Sequence, residues 1–94
     1  MLKLIGWRRL TPPGVKFVEL LHQSGWRVRH CGHPTANWPY YLSGPGMDEC
    51  IVSWVGRGFR HLDAAQFAVE MILRGDTRVV DGMVEHVSAI GTMI

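Results

Sequence analysis

One stretch of the chain, residues 29–41, concentrates side chains that could do chemistry. It reads Arg-His-Cys-Gly-His-Pro-Thr-Ala-Asn-Trp-Pro-Tyr-Tyr, which places two histidines and a cysteine beside three aromatic rings. Together with Cys50, the residues His30, Cys31 and His33 supply the four ligands that a tetrahedral zinc site requires. The spacing argues against zinc, because the chain has no Cys-x-x-Cys pair and no two histidines at the spacing of a zinc knuckle. We expect no cofactor here, and zinc stays an alternative.

The same stretch raises cysteine catalysis. Cys31 lies between His30 and His33, either of which could take the thiol proton and leave a nucleophilic thiolate. A working pair also needs a residue that orients the histidine and a loop that stabilises an oxyanion, and neither is evident beside Cys31. The nearest acids, Asp48 and Glu49, are separated from it by a turn. We therefore expect a protein that is not an enzyme, with a cysteine or zinc enzyme as the third alternative.

A third chemistry, phosphate binding, is suggested by Gly56-Arg-Gly-Phe-Arg60 before a predicted helix, because helix N-termini favour anions. The segment lacks the Lys-Ser/Thr of a P-loop, and Asp63 would repel a phosphate at the helix start. A bend that leads the chain from a strand into the helix explains these glycines better.

Arginines and large aromatic residues give the strongest functional signal. Four tryptophans and two tyrosines are more than one small core needs, and Trp, Tyr and Arg are typical of the residues that dominate protein interfaces. The predicted contact set comprises Arg27, Arg29, Trp38, Tyr40, Tyr41, Arg57 and Arg60. The same side chains could instead stack on bases and contact phosphates, so a small nucleic-acid-binding domain is the runner-up.

The length and the charge of the chain limit the classes of protein to which it can belong. The 94 residues predict a single domain over 1–94, with 76–94 as an alternative C-terminal appendage that packs on a partner. The net charge of +2 divides into +5 for residues 1–60 and −3 for residues 61–94. No apolar run is long enough to span a membrane and the start lacks the features of a signal peptide, so we expect a cytoplasmic protein with two free thiols.

Hydrophobic patterning predicts the elements that would position these residues. We expect a hairpin from strands at 15–21 and 26–30, joined by a turn at 22–25. Trp26, Val28 and His30 would share one face of the second strand, opposite Arg27 and Arg29. Further extended segments are expected at 38–42 and 50–55, the second ending in a bulge or sharp bend at 56–58.

The predicted helix begins at Asp63 as N-cap, with Gln66 completing a capping box and Leu62 and Phe67 forming a hydrophobic staple. Gly75 is expected to end it. Its apolar stripe would face the core while Gln66 and Glu70 face water; the stripe comprises Ala64, Phe67, Ala68, Met71 and Ile72. After it, Val79–Val80 could be a strand, and 83–90 a short helix. The fold class is therefore α+β, an antiparallel sheet of three or four strands with one helix packed across it.

Two parts of the chain carry a resemblance. Gly25-Trp-Arg-Val-Arg-His-Cys-Gly-His-Pro-Thr-Ala-Asn-Trp-Pro-Tyr-Tyr41, followed by Gly56-Arg-Gly-Phe-Arg-His-Leu-Asp-Ala-Ala65, resembles small proteins of phages and prophages. In general character the chain is similar to the anti-CRISPR proteins. This resemblance implies a compact, non-catalytic protein in a bacterial host. Its partner would be a host protein or ribonucleoprotein complex, such as a CRISPR effector, that it blocks by occupying a surface.

Overall fold

The computed structural model describes residues 6–14, 16–46 and 50–86, and within these ranges it contains six strands and one helix. Their bounds are β1 Trp7–Arg9, β2 Leu20–His22, β3 Arg27–His30, β4 Tyr40–Ser43, α1 Leu62–Arg74, β5 Thr77–Val80 and β6 Met83–His86. The first four strands form one antiparallel sheet and the last two a separate hairpin. The predicted α+β class, with one helix packed on a four-stranded sheet, is confirmed.

The four-stranded sheet is a meander in which each strand pairs with the next along the chain. The predicted turn between β2 and β3 is present, and the amide N–H of Gly25 donates to the carbonyl oxygen of His22 at 2.9 Å. The first strand of this hairpin begins only at Leu20, later than predicted. β1, which the hydrophobic pattern did not predict, pairs with β2 and adds a fourth strand.

The core lies between the inner face of this sheet and α1. Leu20 and Leu42 are both register partners of Val28, so the three side chains project from one face, and all three are buried. From the helix, Ala65 and Val69 are completely buried against them. The core cluster comprises Trp7, Leu20, Val28, Leu42, Ile51, Ala65, Ala68, Val69 and Val84.

The strand predicted at 50–55 is wrong. Ile51 exchanges two backbone hydrogen bonds with Leu42, at 2.7 and 3.0 Å, but this is an isolated bridge. After it the chain turns, because Ser53 donates from its backbone N–H and its Oγ to the carbonyl oxygen of Arg57, at 2.6 and 2.7 Å. Gly56 allows this turn with a φ of 80°, in the left-handed region.

The helix begins earlier than its sequence signals predicted. Its N-cap is His61, which makes no side-chain cap hydrogen bond. Asp63 lies inside the first turn, where its negative charge interacts favourably with the positive end of the helix dipole. The predicted capping box and staple are therefore wrong. The C-terminus is as predicted: Gly75 has a φ of 82°, and its amide N–H donates to the carbonyl oxygen of Ile72.

The face that the helix buries matches the predicted one only in part, because Ala68 and Ile72 of the predicted stripe do pack on the core. Phe67 is 56% exposed, whereas Gln66, which was expected to face water, is only 3% exposed. The side chains that pack inward are at positions three and four apart, which is the spacing of one helix face; they are Leu62, Ala65, Gln66, Ala68, Val69 and Ile72.

The part of the tail that the structure describes is a hairpin. β5 confirms the strand predicted at Val79–Val80, but Met83 and Val84 lie in β6, so the predicted helix does not begin there. Val84 belongs to the main core, which means that residues 77–86 pack on the domain itself. The rest of the predicted helix and appendage, 87–94, lies outside the described residues.

Candidate binding surface

The seven predicted contact residues fall into three places. Arg29 and Tyr41 are register partners across β3 and β4, so they project from the outer face of the sheet, where Arg27 joins them two residues along. Tyr40 projects from the opposite, inner face. The remaining three residues, Trp38, Arg57 and Arg60, meet at the end of β4.

Arg27 and Arg29, which we call the outer arginine pair, share one carboxylate. Glu19 Oε1 lies 3.4 Å from a guanidinium nitrogen of Arg27 and 3.5 Å from Nε of Arg29. All three side chains are partly exposed, so solvent screens these ion pairs and each stabilises the fold only weakly. Their main consequence is electrostatic, because Glu19 offsets about half of the positive charge of the pair.

Tyr40 helps to hold the sheet and is only partly exposed. Its ring packs edge-on against His30, with centroids 5.2 Å apart, and it is partly buried against the core. Its backbone N–H and carbonyl both pair with Phe59, at 3.1 and 2.7 Å. Tyr40 therefore ties the segment that carries Arg57 and Arg60 to the edge of β4.

Trp38, Arg57 and Arg60, here called the Trp38 cluster, form the most accessible assembly among the predicted residues. The guanidinium carbon of Arg57 lies 5.5 Å from the centroid of the Trp38 ring and that of Arg60 lies 5.9 Å away, both within cation–π range. Trp38 is 36% exposed and both arginines are exposed. Within the described ranges no carboxylate lies at ion-pair distance from either arginine.

Gly58 makes this cluster geometrically feasible. A Cβ at position 58 would overlap the carbonyl oxygen of Trp38 and lie 2.9 Å from that of Tyr40. Because only a residue without a side chain allows so close an approach, Gly58 lets the segment that carries Arg57 and Arg60 lie directly against the end of β4. The glycine-rich segment 56–58, which was predicted to form a bend, therefore also positions the side chains of Arg57 and Arg60.

The structure describes all four residues that the sequence offered as zinc ligands: His30, Cys31, His33 and Cys50. Within the described ranges, no three His, Cys, Asp or Glu side chains lie close enough together to hold a metal ion. Both Cys31 and Cys50 are free thiols. His30, which precedes Cys31 in the chain, has its ring stacked on Phe17 with centroids 4.4 Å apart, and its Nδ1 accepts a hydrogen bond from the N–H of Gly32 at 2.9 Å.

The environment of His30 favours its neutral form. Burial, and secondarily the positive charge that His33 can carry, lower the pKa of His30 below its ordinary value of 6.5. A neutral ring with Nδ1 as acceptor carries its proton on Nε2. Its contacts with Phe17, Gly32 and Tyr40 give His30 a structural role.

Sequence reasoning missed an apolar groove on the second face of α1. Its volume is about 240 Å³, and Trp54, 66% exposed, and Phe67 line its opening. The sequence does contain a feature that indicates this groove: α1 carries two apolar stripes, and only one of them can face the core. The groove is lined by Ser53, Trp54, Phe59, Ala64, Phe67, Ala68, Met71, Thr77 and Val84.

In the part of the chain that the structure describes, no helix combines the length and the apolarity that a membrane crossing requires. Comparison of the chain with protein-family models, with curated proteins and with solved structures gives no match in any of the three.

Proposed function

We propose that this protein is a non-catalytic binding protein that acts by occupying a surface of a host macromolecular complex. The Trp38 cluster is the centre of its interface. Blockade of a CRISPR effector, the mode of the anti-CRISPR proteins that the sequence resembles, is the specific form of this function. The partner offers carboxylates to Arg57 and Arg60 and an apolar or aromatic contact to Trp38.

The observation that carries the proposal is the arrangement of two arginines over one exposed tryptophan, with no described carboxylate at ion-pair distance. Each guanidinium keeps its hydrogen-bond donors available while the ring limits the orientations it can take. A side chain that is ordered before binding loses less entropy when the complex forms. Trp and Arg are also the residues that most often dominate the binding energy of interfaces.

The position of the nearby apolar residues favours a protein partner over nucleic acid. Val55, exposed in the turn that leads to Arg57, can pack on an apolar side chain but contributes neither to phosphate recognition nor to base stacking. The outer arginine pair is partly offset by Glu19, so it does not extend the Trp38 cluster into a continuous basic surface. Nucleic-acid binding through the outer face, where Tyr41 accompanies the outer arginine pair, is the second candidate.

Capture from a bacterial host lysate with the immobilised chain tests the proposal. The wild-type chain is expected to retain a defined complex, and both Trp38→Ala and the double variant Arg57→Ala/Arg60→Ala should lose it. Arg74→Ala is the matched control, because Arg74 is also exposed but pairs with Asp76 at the far end of α1. Equal capture by all four proteins would contradict the proposal.

A titration with labelled single- and double-stranded DNA over a salt series separates the two candidates. The protein-binding function predicts weak association with DNA. Micromolar or tighter binding that weakens steeply with salt would instead indicate contacts to phosphates and favour the second candidate.

A further inference from the structure

The apolar groove and the Trp38 cluster share one segment of the chain. Phe59, which lines the groove, lies between Arg57 and Arg60 in sequence. Ser53, another lining residue, donates two hydrogen bonds to the carbonyl oxygen of Arg57. The backbone of Arg57 is therefore fixed at the rim of the groove, and an occupant would meet an apolar floor and a cationic edge together.

The dimensions of the groove indicate what kind of occupant it takes. Its volume of about 240 Å³ lies below the roughly 300–1,000 Å³ of sites that enclose cofactors and drug-sized ligands. None of its lining residues is charged. The groove therefore suits a bulky apolar side chain, with polar recognition left to the rim.

The charges at the two sides of the groove determine the orientation in which an occupant binds. Arg57 and Arg60 lie on the side of the 53–60 segment, whereas Asp63 and Glu70 flank Phe67 on the helix at spacings of four and three residues. An anionic group is attracted to the first side and repelled from the second.

We propose that the groove binds a segment of the partner protein that places a bulky apolar side chain beside Phe67 and an Asp or Glu side chain on Arg57 or Arg60. This inference rests on the proposed function, since the Trp38 cluster supplies its charged half. It adds the chemistry of the partner: an acidic segment with a bulky apolar anchor.

Selection from a display library of random 12-residue peptides tests the proposal, with the wild-type chain as bait. Enriched peptides are expected to combine a bulky apolar residue with an acidic residue a few positions away. Binding of the selected peptides, measured by fluorescence polarisation, should fall at least tenfold in Phe67→Asp and several-fold in Arg57→Ala. Leu73→Asp is the matched control, because Leu73 is a 46% exposed apolar residue of α1 outside the groove, and it should change binding less than twofold.

Circular dichroism of each variant separates loss of binding from loss of fold, and Phe67→Ala serves instead if Phe67→Asp unfolds. Enriched peptides without acidic residues, equal binding to Phe67→Asp and wild type, or no enrichment would each overturn the proposal. So would sedimentation that shows a wild-type dimer and a Phe67→Asp monomer, because a second copy would then occupy the groove. If lysate capture depends on Trp38 but not on Phe67, this inference fails while the proposed function stands.

Discussion

Arg27 and Arg29 share the carboxylate of Glu19 on the outer face of the sheet, whereas Arg57 and Arg60 lie over the ring of Trp38 at its end. Both pairs are exposed or partly exposed, and sequence patterning gave them equal weight. The difference lies in what each pair contacts within its own chain. A carboxylate offsets the charge of a guanidinium, while an aromatic face orders it and leaves its hydrogen-bond donors available. Arginine pairs of equal formal charge therefore differ in what they can offer a partner.

The largest expected effect comes from removing the close approach that places the Trp38 cluster. Gly58→Ala puts a methyl group against the carbonyl oxygens of Trp38 and Tyr40, and the segment must move away from β4. We expect the free energy of unfolding to fall by about 2–3 kcal/mol, the upper part of the range for overpacked sites. Urea denaturation measures it, and capture of the partner should be lost as well.

Gly32→Ala is the control for this substitution. Gly32 has a φ of 90° and open space around it, so alanine there meets backbone strain without a steric clash. A loss of about 1 kcal/mol is expected. If Gly58→Ala lowers the free energy of unfolding no more than Gly32→Ala does, the close approach of Gly58 to β4 does not hold the Trp38 cluster in place.

The second prediction compares the two arginine pairs directly. The double variant Arg57→Ala/Arg60→Ala should weaken binding of the captured partner at least tenfold, because two available guanidinium groups are lost from the centre of the interface. Arg27→Ala/Arg29→Ala should change it less than twofold. Isothermal titration calorimetry with the captured partner measures both, and the reverse order would assign the interface to the outer face.

The third prediction concerns the outer arginine pair when no carboxylate offsets its charge. Glu19→Gln removes the shared carboxylate, and because the ion pairs are solvent-screened the free energy of unfolding should fall by less than about 1 kcal/mol. Weak binding to DNA should increase several-fold and become more sensitive to salt, since two arginines are released. Glu85→Gln, which breaks the ion pair with Arg78, is the control and should leave DNA binding unchanged. An unchanged affinity of Glu19→Gln would mean that Glu19 does not restrain the outer face.

The smallest expected effect concerns the histidine that supports Tyr40. Because burial lowers the pKa of His30 in the folded protein, the unfolded chain takes up this proton first as the pH falls through 6.5. The stability that the neutral ring contributes is thus present at pH 7.5 and declines as the pH falls below 6.5 toward 5. His30→Asn keeps an acceptor for the N–H of Gly32 but does not titrate, so its unfolding free energy should fall less over this range. His33→Asn is the control and should retain most of the wild-type decline.

The sequence predicted those parts of the fold that local chemistry determines. The turn before Gly25, the alternation along β3 and the helix end at Gly75 each follow from neighbouring residues, and each is present. Failures occurred where tertiary contacts decide. Both faces of α1 are apolar, so only its docking on the sheet could show that Val69 packs inward and Phe67 outward.

The candidate site was predictable by composition but not by geometry. The excess of tryptophan and arginine pointed to a binding surface, which remains a prediction, yet nothing local indicated that Glu19 would lie between Arg27 and Arg29. Likewise, the glycines at 56 and 58 predicted a bend, but the approach to Trp38 depends on a contact between segments some 20 residues apart. Distances of that kind are set by the assembled core.

The irregular chain along β4 has a consequence for behaviour at high concentration. Tyr40 and Leu42 each exchange both backbone hydrogen bonds with single residues, Phe59 and Ile51, that belong to no strand. The backbone donors and acceptors along the free edge of β4 are therefore already paired. The segment from Ile51 to Phe59 that pairs with them turns at Gly56, so it does not form a new strand that another molecule could extend. An open strand edge invites pairing with another molecule and aggregation. This edge of the sheet is closed to such growth, so Trp38 is exposed beside a strand that offers no template for amyloid-like stacking.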